Sequence, residues 1–297
     1  MASDSAAGEH ARLVRAAFQK VCKDERAADL REMRFLLGRE LISKSVDGLP
    51  AEGDGDTHTA IDGLLQHELR AKDVIDWESL TCEHADSRLA VWQGDITSLR
   101  VGAIVNAANE GGLGCFQPEH RCIDNVIHRA AGPRLRIACA KELRRRADVW
   151  QGRLPTGEAM VTQAFNLPSS FVIHTPGPVG EKPDLLAACY RSVLDRCRER
   201  RIRTVAFCCI STGLFGYPNE RAAEVAVATV QEWLRCAEEA AIAAAAEGPP
   251  ATGDGAAPPP PQASPPIDRV IFNVFLDKDL EIYRRLLGAS RNSCATT

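Results

Sequence analysis

The chain holds no apolar run of the roughly 18–20 residues that a membrane-crossing helix needs, so a spanning segment is not expected. It also lacks an excess of either charge. Lys and Arg number 36 against 40 Asp and Glu, a net charge of −4. Such a balance excludes general attraction to nucleic acid or to a membrane surface. A phosphate-bearing ligand must therefore be held locally, by backbone amides. The stretch from Met1 to Gln19 mixes Asp4, Glu9, His10, Arg12 and Arg15 and has no apolar centre of the secretory kind. The paired Cys-x-x-Cys spacing of common zinc sites is missing too. The eleven cysteines are odd in number, and Cys208 and Cys209 stand side by side in an apolar run. Both features argue for reduced thiols and an intracellular setting.

What is present falls into two textures. Of the 297 residues, 45% are hydrophobic, enough for a substantial core. Residues 10–44 carry a helical pattern in Leu13, Phe18, Val21, Leu30, Met33, Leu37 and Leu41. Residues 45–60 read as a loop, and a short helix follows around Asp62 to Ala71. Residues 1–86 are thus expected to form a helical N-terminal extension. From residue 87 to 290 strands alternate with helices. The strands are expected at Arg88–Trp92, Ala103–Ala107, Ala159–Thr162, Phe171–His174, Thr204–Ile210 and Arg269–Phe275. One helix is expected from Cys122 to about Arg136, and others over Leu185–Arg200, Glu220–Leu234 and Leu280–Leu287. That alternation implies an α/β fold with a largely parallel sheet covered on both faces. Residues 237–266 interrupt it with eight of the seventeen prolines and eleven alanines. Its Ala part can extend the preceding helix; its Pro/Gly part reads as a disordered insertion.

Three loops stand after predicted parallel strands, where open α/β sheets bind ligands. Gln93-Gly94-Asp95-Ile96-Thr97 offers a carboxylate to an amino group such as a base amine, although Asp95 also fits a helix N-cap. The second loop starts at Asn106-Ala107-Ala108-Asn109, whose carboxamides suit sugar hydroxyls or, equally, a turn. It continues through Cys115, His120 and Cys122, two thiols and an imidazole within eight residues. Three such ligands leave a tetrahedral Zn²⁺ one open position, the catalytic pattern. By spacing alone, two packed thiols and a surface His stand on equal terms with zinc. The third loop, Ser211-Thr212-Gly213-Leu214-Phe215-Gly216-Tyr217, lets backbone N–H groups approach a diphosphate, with a helix start behind it. Base amine, ribose and diphosphate together describe an ADP-ribose-shaped set. His128 and His174 read as packed residues, Cys208 and Cys209 as core, and Lys141–Arg146 as a solvated helix face.

Gly94-Asp95-Ile96-Thr97, Asn106-Ala107-Ala108-Asn109, Ile127-His128-Arg129-Ala130-Ala131-Gly132-Pro133, Ile173-His174-Thr175-Pro176-Gly177-Pro178 and Ile210 to Pro218 resemble, in order, the motifs of the macrodomain family. The segment Gly114 to Asn125 is similar to the zinc-dependent, protein-ADP-ribose-hydrolysing branch of that family. The resemblance implies a three-layer α/β/α sandwich with a mixed, mostly parallel sheet. It implies Cys115, His120 and Cys122 as ligands of Zn²⁺. It places adenine at Asp95 and Ile96, the distal ribose at Asn109 with Asn106 in support, and the diphosphate along Ser211, Thr212, Gly213, Leu214, Phe215, Gly216 and Tyr217. Phe215 would cover the distal ribose, and Asp124 matches an acidic residue beside it. The implied activity is removal of mono-ADP-ribose from Asp- or Glu-linked proteins by Asn109, Asp124 and the metal. Its partners are ADP-ribose, the modified protein and, in some bacterial members, a sirtuin-like ADP-ribosyltransferase. A reader module without turnover and an O-acetyl-ADP-ribose deacetylase are the rivals.

Overall fold

The structure, a computed structural model of the chain, describes residues 2–22, 29–82, 84, 86–246 and 267–293. Three helices come first: α1 (Ala2–Val21), α2 (Leu30–Ser43) and α3 (Gly55–Arg70). Val14, Ala17, Phe18 and Val21 repeat at three- and four-residue spacing, so they line one face of α1. They close on Leu37 from α2 and on Ile61, Leu64 and Leu65 from α3. Helix α3 begins inside the stretch expected as a loop. Asp54 caps it by accepting from the Thr57 N–H at 3.1 Å, and Thr57, Ile61, Leu64 and Leu65 turn inward. The apolar stripe outweighs the cost of the early glycine.

The rest of the chain builds a six-stranded sheet. Its strands are β2 (Leu89–Gln93), β4 (Ala103–Ala108), β5 (Met160–Gln163), β6 (Phe171–Pro176), β7 (Thr204–Phe207) and β8 (Arg269–Val274), in the order β2-β8-β7-β4-β6-β5. All neighbours are parallel except β5, which runs antiparallel to β6 at the edge. A short β1 (Ile75–Asp76) pairs with β3 (Leu99–Arg100) apart from it. Helices α4 (Ile123–Ala131), α5 (Pro133–Arg145), α6 (Ala147–Trp150), α7 (Pro183–Arg200), α8 (Asn219–Ala246) and α9 (Asp277–Ser293) complete the order.

Strand parity sorts the helices into two layers. Asn106 and His174 are register partners; their side chains meet Asp124 of α4 and Cys139 of α5. Phe207 and Phe272 are also partners, on the opposite face by alternation; Phe207 packs at a tilt on Tyr190 of α7, and Phe272 stacks on Tyr283 of α9. The result is a three-layer α/β/α sandwich. Its interior strands are buried on both faces, which explains their unbroken apolar runs.

Two boundaries differ from the sequence expectation. The helix drawn from Cys122 to Arg136 is two helices, because Gly132 adopts φ +89° between them. A side chain there would sit 2.9 Å from Leu65 of α3, so a residue without Cβ is required twice over. Helix α8 runs on to Ala246 and takes in the Ala-rich start of residues 237–266; residues 247–266 lie outside those described. Among the described residues, no helix is long and apolar enough to cross a membrane.

Candidate active site

Because β2, β4 and β7 run parallel, the loops after them share one edge of the sheet. Strand β4 sends Asn106 beneath that edge, fully buried. Its Nδ2 donates one hydrogen to Asp124 Oδ1 at 2.8 Å and the other to His174 Nδ1 at 3.1 Å. The acceptor role at Nδ1 leaves the His174 proton on Nε2, which meets Thr162 Oγ1 at 2.9 Å and Cys139 Sγ at 3.6 Å. Asn106 thus supports the loop through a carboxylate and a histidine rather than through loop backbone.

Asp124 lies in the first turn of α4 and is 4% exposed. Burial pushes its carboxyl up to about 6, against the Asn106 hydrogen bond and the Arg136 charge, which both lower it. His128, one turn further on, approaches Asp124 Oδ1 at 3.4 Å. Burial and the charges of His174 and Arg136 hold His128 well below the usual histidine range. A neutral imidazole makes that contact a packing approach and not an ion pair. Gly114 takes φ +86°, and a Cβ there would lie 2.8 Å from His128 Nε2. The loop can close over the histidine only with glycine at this position.

Asn109 bends back into its own loop. Its Oδ1 accepts from the Gly111 N–H at 2.9 Å, and its Nδ2 donates to the Gly114 carbonyl at 3.2 Å. The same Nδ2 stands 3.5 Å from Asp124 Oδ2, so the loop carboxamide and the buried acid are brought together.

Beyond Gly114 come the three candidate metal ligands. Cys115 Sγ and His120 Nδ1 are 3.5 Å apart, and with Cys122 Sγ all three donor atoms lie within 4.8 Å of one another. Sulfur and nitrogen ligands of one tetrahedral zinc stand about 3.6 Å apart, given bonds of roughly 2.3 and 2.0 Å. The donor set and its spacing fit that ion. Cys122 also caps α4 by accepting from the Asn125 N–H at 3.4 Å, which gives its sulfur the positive end of a helix. Burial and the neighbouring Cys115 sulfur nonetheless push the Cys122 thiol up to about 11, a cost that a divalent cation removes. A second group, His128, Cys139 and His174, also clusters. Both nitrogens of its His174 are already engaged, by Asn106 and by Thr162 with Cys139.

At the other end, Asp95 Oδ1 accepts from Thr97 N–H at 2.9 Å and from Thr97 Oγ1 at 2.7 Å, the N-cap geometry. Its Oδ2 accepts from Lys72 Nζ at 3.0 Å. Burial raises the carboxyl, but Thr97 and Lys72 outweigh it and hold Asp95 below the usual carboxylate range. Ile96 beside it is buried. Between the ends runs the third loop. Ser211 adopts φ +67°, Gly216 N–H donates to the Gly213 carbonyl, and Tyr217 N–H donates to the Ser211 carbonyl. Among the described residues the N–H groups of Thr212, Gly213, Leu214 and Phe215 meet no backbone acceptor. That leaves a row of donors ahead of α8 (Asn219–Ala246), the arrangement an anion uses. Phe215 is half-buried, whereas Tyr217 packs inward.

Against known proteins, a family model described as Macro domain matches residues 105–226. The chain is 38% identical over 243 residues to a Staphylococcus aureus (strain MSSA476) protein named protein-ADP-ribose hydrolase, a match spanning 79% of each chain. The chain belongs to the macrodomain family. It is also 41% identical over 225 residues to a Fusarium oxysporum f. sp. cubense protein, over 70% of this chain and 33% of that one. That relative is named a probable bifunctional ADP-ribose hydrolase/ADP-ribosyltransferase. Among solved structures, a Trypanosoma brucei macrodomain in complex with ADP-ribose superposes with a TM-score of 0.57 and 27% identity, covering 84% of this chain and 95% of that one.

Four residues outside the expected site set also shape this macrodomain site, one of them the packed His174. Lys72 reaches Asp95 from the helical region. Asn125 Nδ2 donates to the Gln117 and His120 carbonyls, both at 2.7 Å, and ties the Cys-His-Cys loop to α4. His174 orients Asn106. Arg136 holds the loop from below. Arg136 had a legible signal: it falls in line with Cys139, Ala140 and Leu143, on the buried stripe of α5.

Proposed function

We propose that this macrodomain is a zinc-dependent hydrolase that removes mono-ADP-ribose from Asp- or Glu-linked protein side chains. One observation carries the reading. A buried carboxylate, Asp124, two residues from Cys122, meets a loop carboxamide, Asn109, beside a Cys-His-Cys donor set that fits zinc. Its relatives' names as protein-ADP-ribose hydrolases support the same activity.

Asp95 would take the adenine amine, the free N–H row of residues 212–215 the diphosphate, and Asn109 the distal ribose hydroxyls. Phe215 covers the ribose side of that row. Cys115, His120 and Cys122 would hold the metal, which supplies Lewis acidity at the sugar–protein linkage when bound. Asp124 orients a water against the anomeric carbon and accepts its proton. The bond from that carbon to the carboxylate oxygen breaks, and the side-chain carboxylate leaves with the electron pair. A new carbon–oxygen bond to water gives free ADP-ribose. Asn106 and His174 keep the Asp124 carboxylate turned toward this point.

The modification itself would come from a sirtuin-like ADP-ribosyltransferase; the double name of the Fusarium relative supports pairing with an ADP-ribosyltransferase as such. The buried, unbridged thiols of Cys139, Cys189, Cys197 and Cys208 support an intracellular, reducing setting. The experiment is release of ADP-ribose from an Asp-linked substrate by metal-replete protein, chelator-stripped protein and Cys115→Ala. A loss of about 100-fold in both depleted forms, restored in the first by added Zn²⁺, is expected. Full activity without metal would refute the zinc dependence. Tight ADP-ribose binding with no release by the replete protein would favour a reader module instead.

A further inference from the structure

The guanidinium of Arg136 is almost fully buried, yet among the described residues no carboxylate hydrogen-bonds to it. Every acceptor it uses is a backbone carbonyl, and these come from two places far apart in the chain. Nη1 donates to the carbonyls of Lys44 at 2.5 Å, Ile42 at 2.9 Å and Leu41 at 3.3 Å. Leu41 and Ile42 lie in the last turn of α2 (Leu30–Ser43), where carbonyls have no partner inside the helix and carry the negative end of its dipole, and Lys44 caps that end. Nε donates to the Leu113 carbonyl at 2.8 Å and Nη2 to the Cys115 carbonyl at 3.3 Å. The guanidinium also lies over the Phe116 ring, 4.3 Å from its centroid.

The two groups of carbonyls belong to the helical module and to the metal loop. Leu113, Gly114 and Cys115 present three successive carbonyls, and all three are held: the outer two by Arg136, the middle one by Asn109. That grip sets where the Cys115 sulfur stands and how Asn109 turns toward Asp124. A planar fork of five donors suits this task; an ammonium on a flexible stem does not. A buried cation costs free energy unless its donors are satisfied. Withdrawing α2 would strip Arg136 of three acceptors, so its hold on the loop depends on α2 being docked.

We propose that Arg136 is a positioning residue through which the helical module (α1–α3) sets the geometry of the metal loop. The proposal rests on the metal reading of Cys115, His120 and Cys122. It predicts a split in kinetics. The adenine and diphosphate contacts at Asp95 and residues 212–215 lie elsewhere, so KM should hold while kcat falls.

The test measures zinc content, the rate of zinc release to a chromophoric chelator, and kcat and KM, in four full-length proteins. These are wild type, Arg136→Lys, Leu37→Ala and the double variant. Leu37 lies on the buried face of α2 within the helical cluster and touches none of the loop carbonyls, so it perturbs the module from its own side. In Arg136→Lys zinc should leave at least about tenfold faster and kcat should fall by a similar factor with KM within twofold. Leu37→Ala should show the same pattern more weakly, and the double variant should be no worse than Arg136→Lys, because the two act along one route. If Arg136→Lys does not fold, Leu37→Ala decides alone by the same split. Wild-type zinc release and kcat in Arg136→Lys, or full additivity in the double variant, would overturn the coupling. A wild-type protein that binds no zinc at the loop would sink the metal reading itself, and this inference with it.

Discussion

Cys122 and Asp124 are two residues apart, yet they belong to regions held in different ways. Asp124 points into the sheet, is 4% exposed, and is fixed by side chains on regular elements: Asn106 of β4 and, behind it, His174 of β6. Cys122 points into a loop that holds no helix or strand from Asn109 to Cys122, only three backbone turn bonds. That loop borrows its shape from outside, through Asn125, Arg129 and Arg136, whose donors grip the carbonyls of Leu113, Cys115, Gln117, Pro118 and His120. The acid is placed by the fold; the Cys-His-Cys loop is placed by its neighbours. Changes to the first should act directly on the chemistry, and changes around the second should act through metal.

The largest effect is expected at Asp124. Asp124→Asn keeps size and removes the proton acceptor, so kcat should fall by about 10²–10⁴-fold while ADP-ribose affinity and zinc content are retained. Single-turnover release with calorimetric binding checks this, and a fall below tenfold would erase the contrast between acid and loop. Asn106→Ala comes next. It leaves Asp124 Oδ1 and His174 Nδ1 without donors, at a cost of roughly 1–3 kcal/mol in urea unfolding. It frees the carboxylate to turn, lowering kcat on the order of tenfold or more. Unchanged zinc release in this variant would sharpen the contrast; faster release would break it.

The smallest effect is a pH dependence of stability. Burial lowers His174 to about 3 and holds His128 well below its usual range. In the unfolded chain both protonate near pH 6.5. Below that pH the unfolded state binds protons that the native state refuses, so this contribution is fully present above about 6.5 and is lost as pH falls toward 3. Asp124, raised to about 6, works the other way between roughly pH 4 and 6. Two imidazoles outweigh one carboxyl, and unfolding midpoints should fall from pH 7 to pH 5. A midpoint that rises over that range would show that the histidines are charged in the native protein.

The sheet was legible because strands buried on both faces appear as apolar runs such as Ala103–Val105 and Thr204–Phe207. The loops that follow them carry their own signatures: two asparagines, a Cys-His-Cys set, a glycine-spaced turn. The helical break at Gly132 was harder, since the sequence does not say that Leu65 will press on its backbone. The burial of Arg136 was legible on its helix stripe, but its role was hidden for a stronger reason. Three of its partners are the carbonyls of Leu41, Ile42 and Lys44, more than ninety positions away, and every residue type has a carbonyl. His174 looked like a packed histidine, and it is one. Its bond to Asn106 follows from strand register, which single-sequence reading does not supply.

The central claim is that the exposed loop, and not the buried histidine cluster beneath it, carries the metal of the working enzyme. X-ray absorption at the zinc edge of fully active protein tests it most directly. The account predicts two sulfur neighbours near 2.3 Å, one imidazole nitrogen and one lighter ligand. A shell with a single sulfur and two imidazoles would point to Cys139, His128 and His174 instead, and would contradict the account.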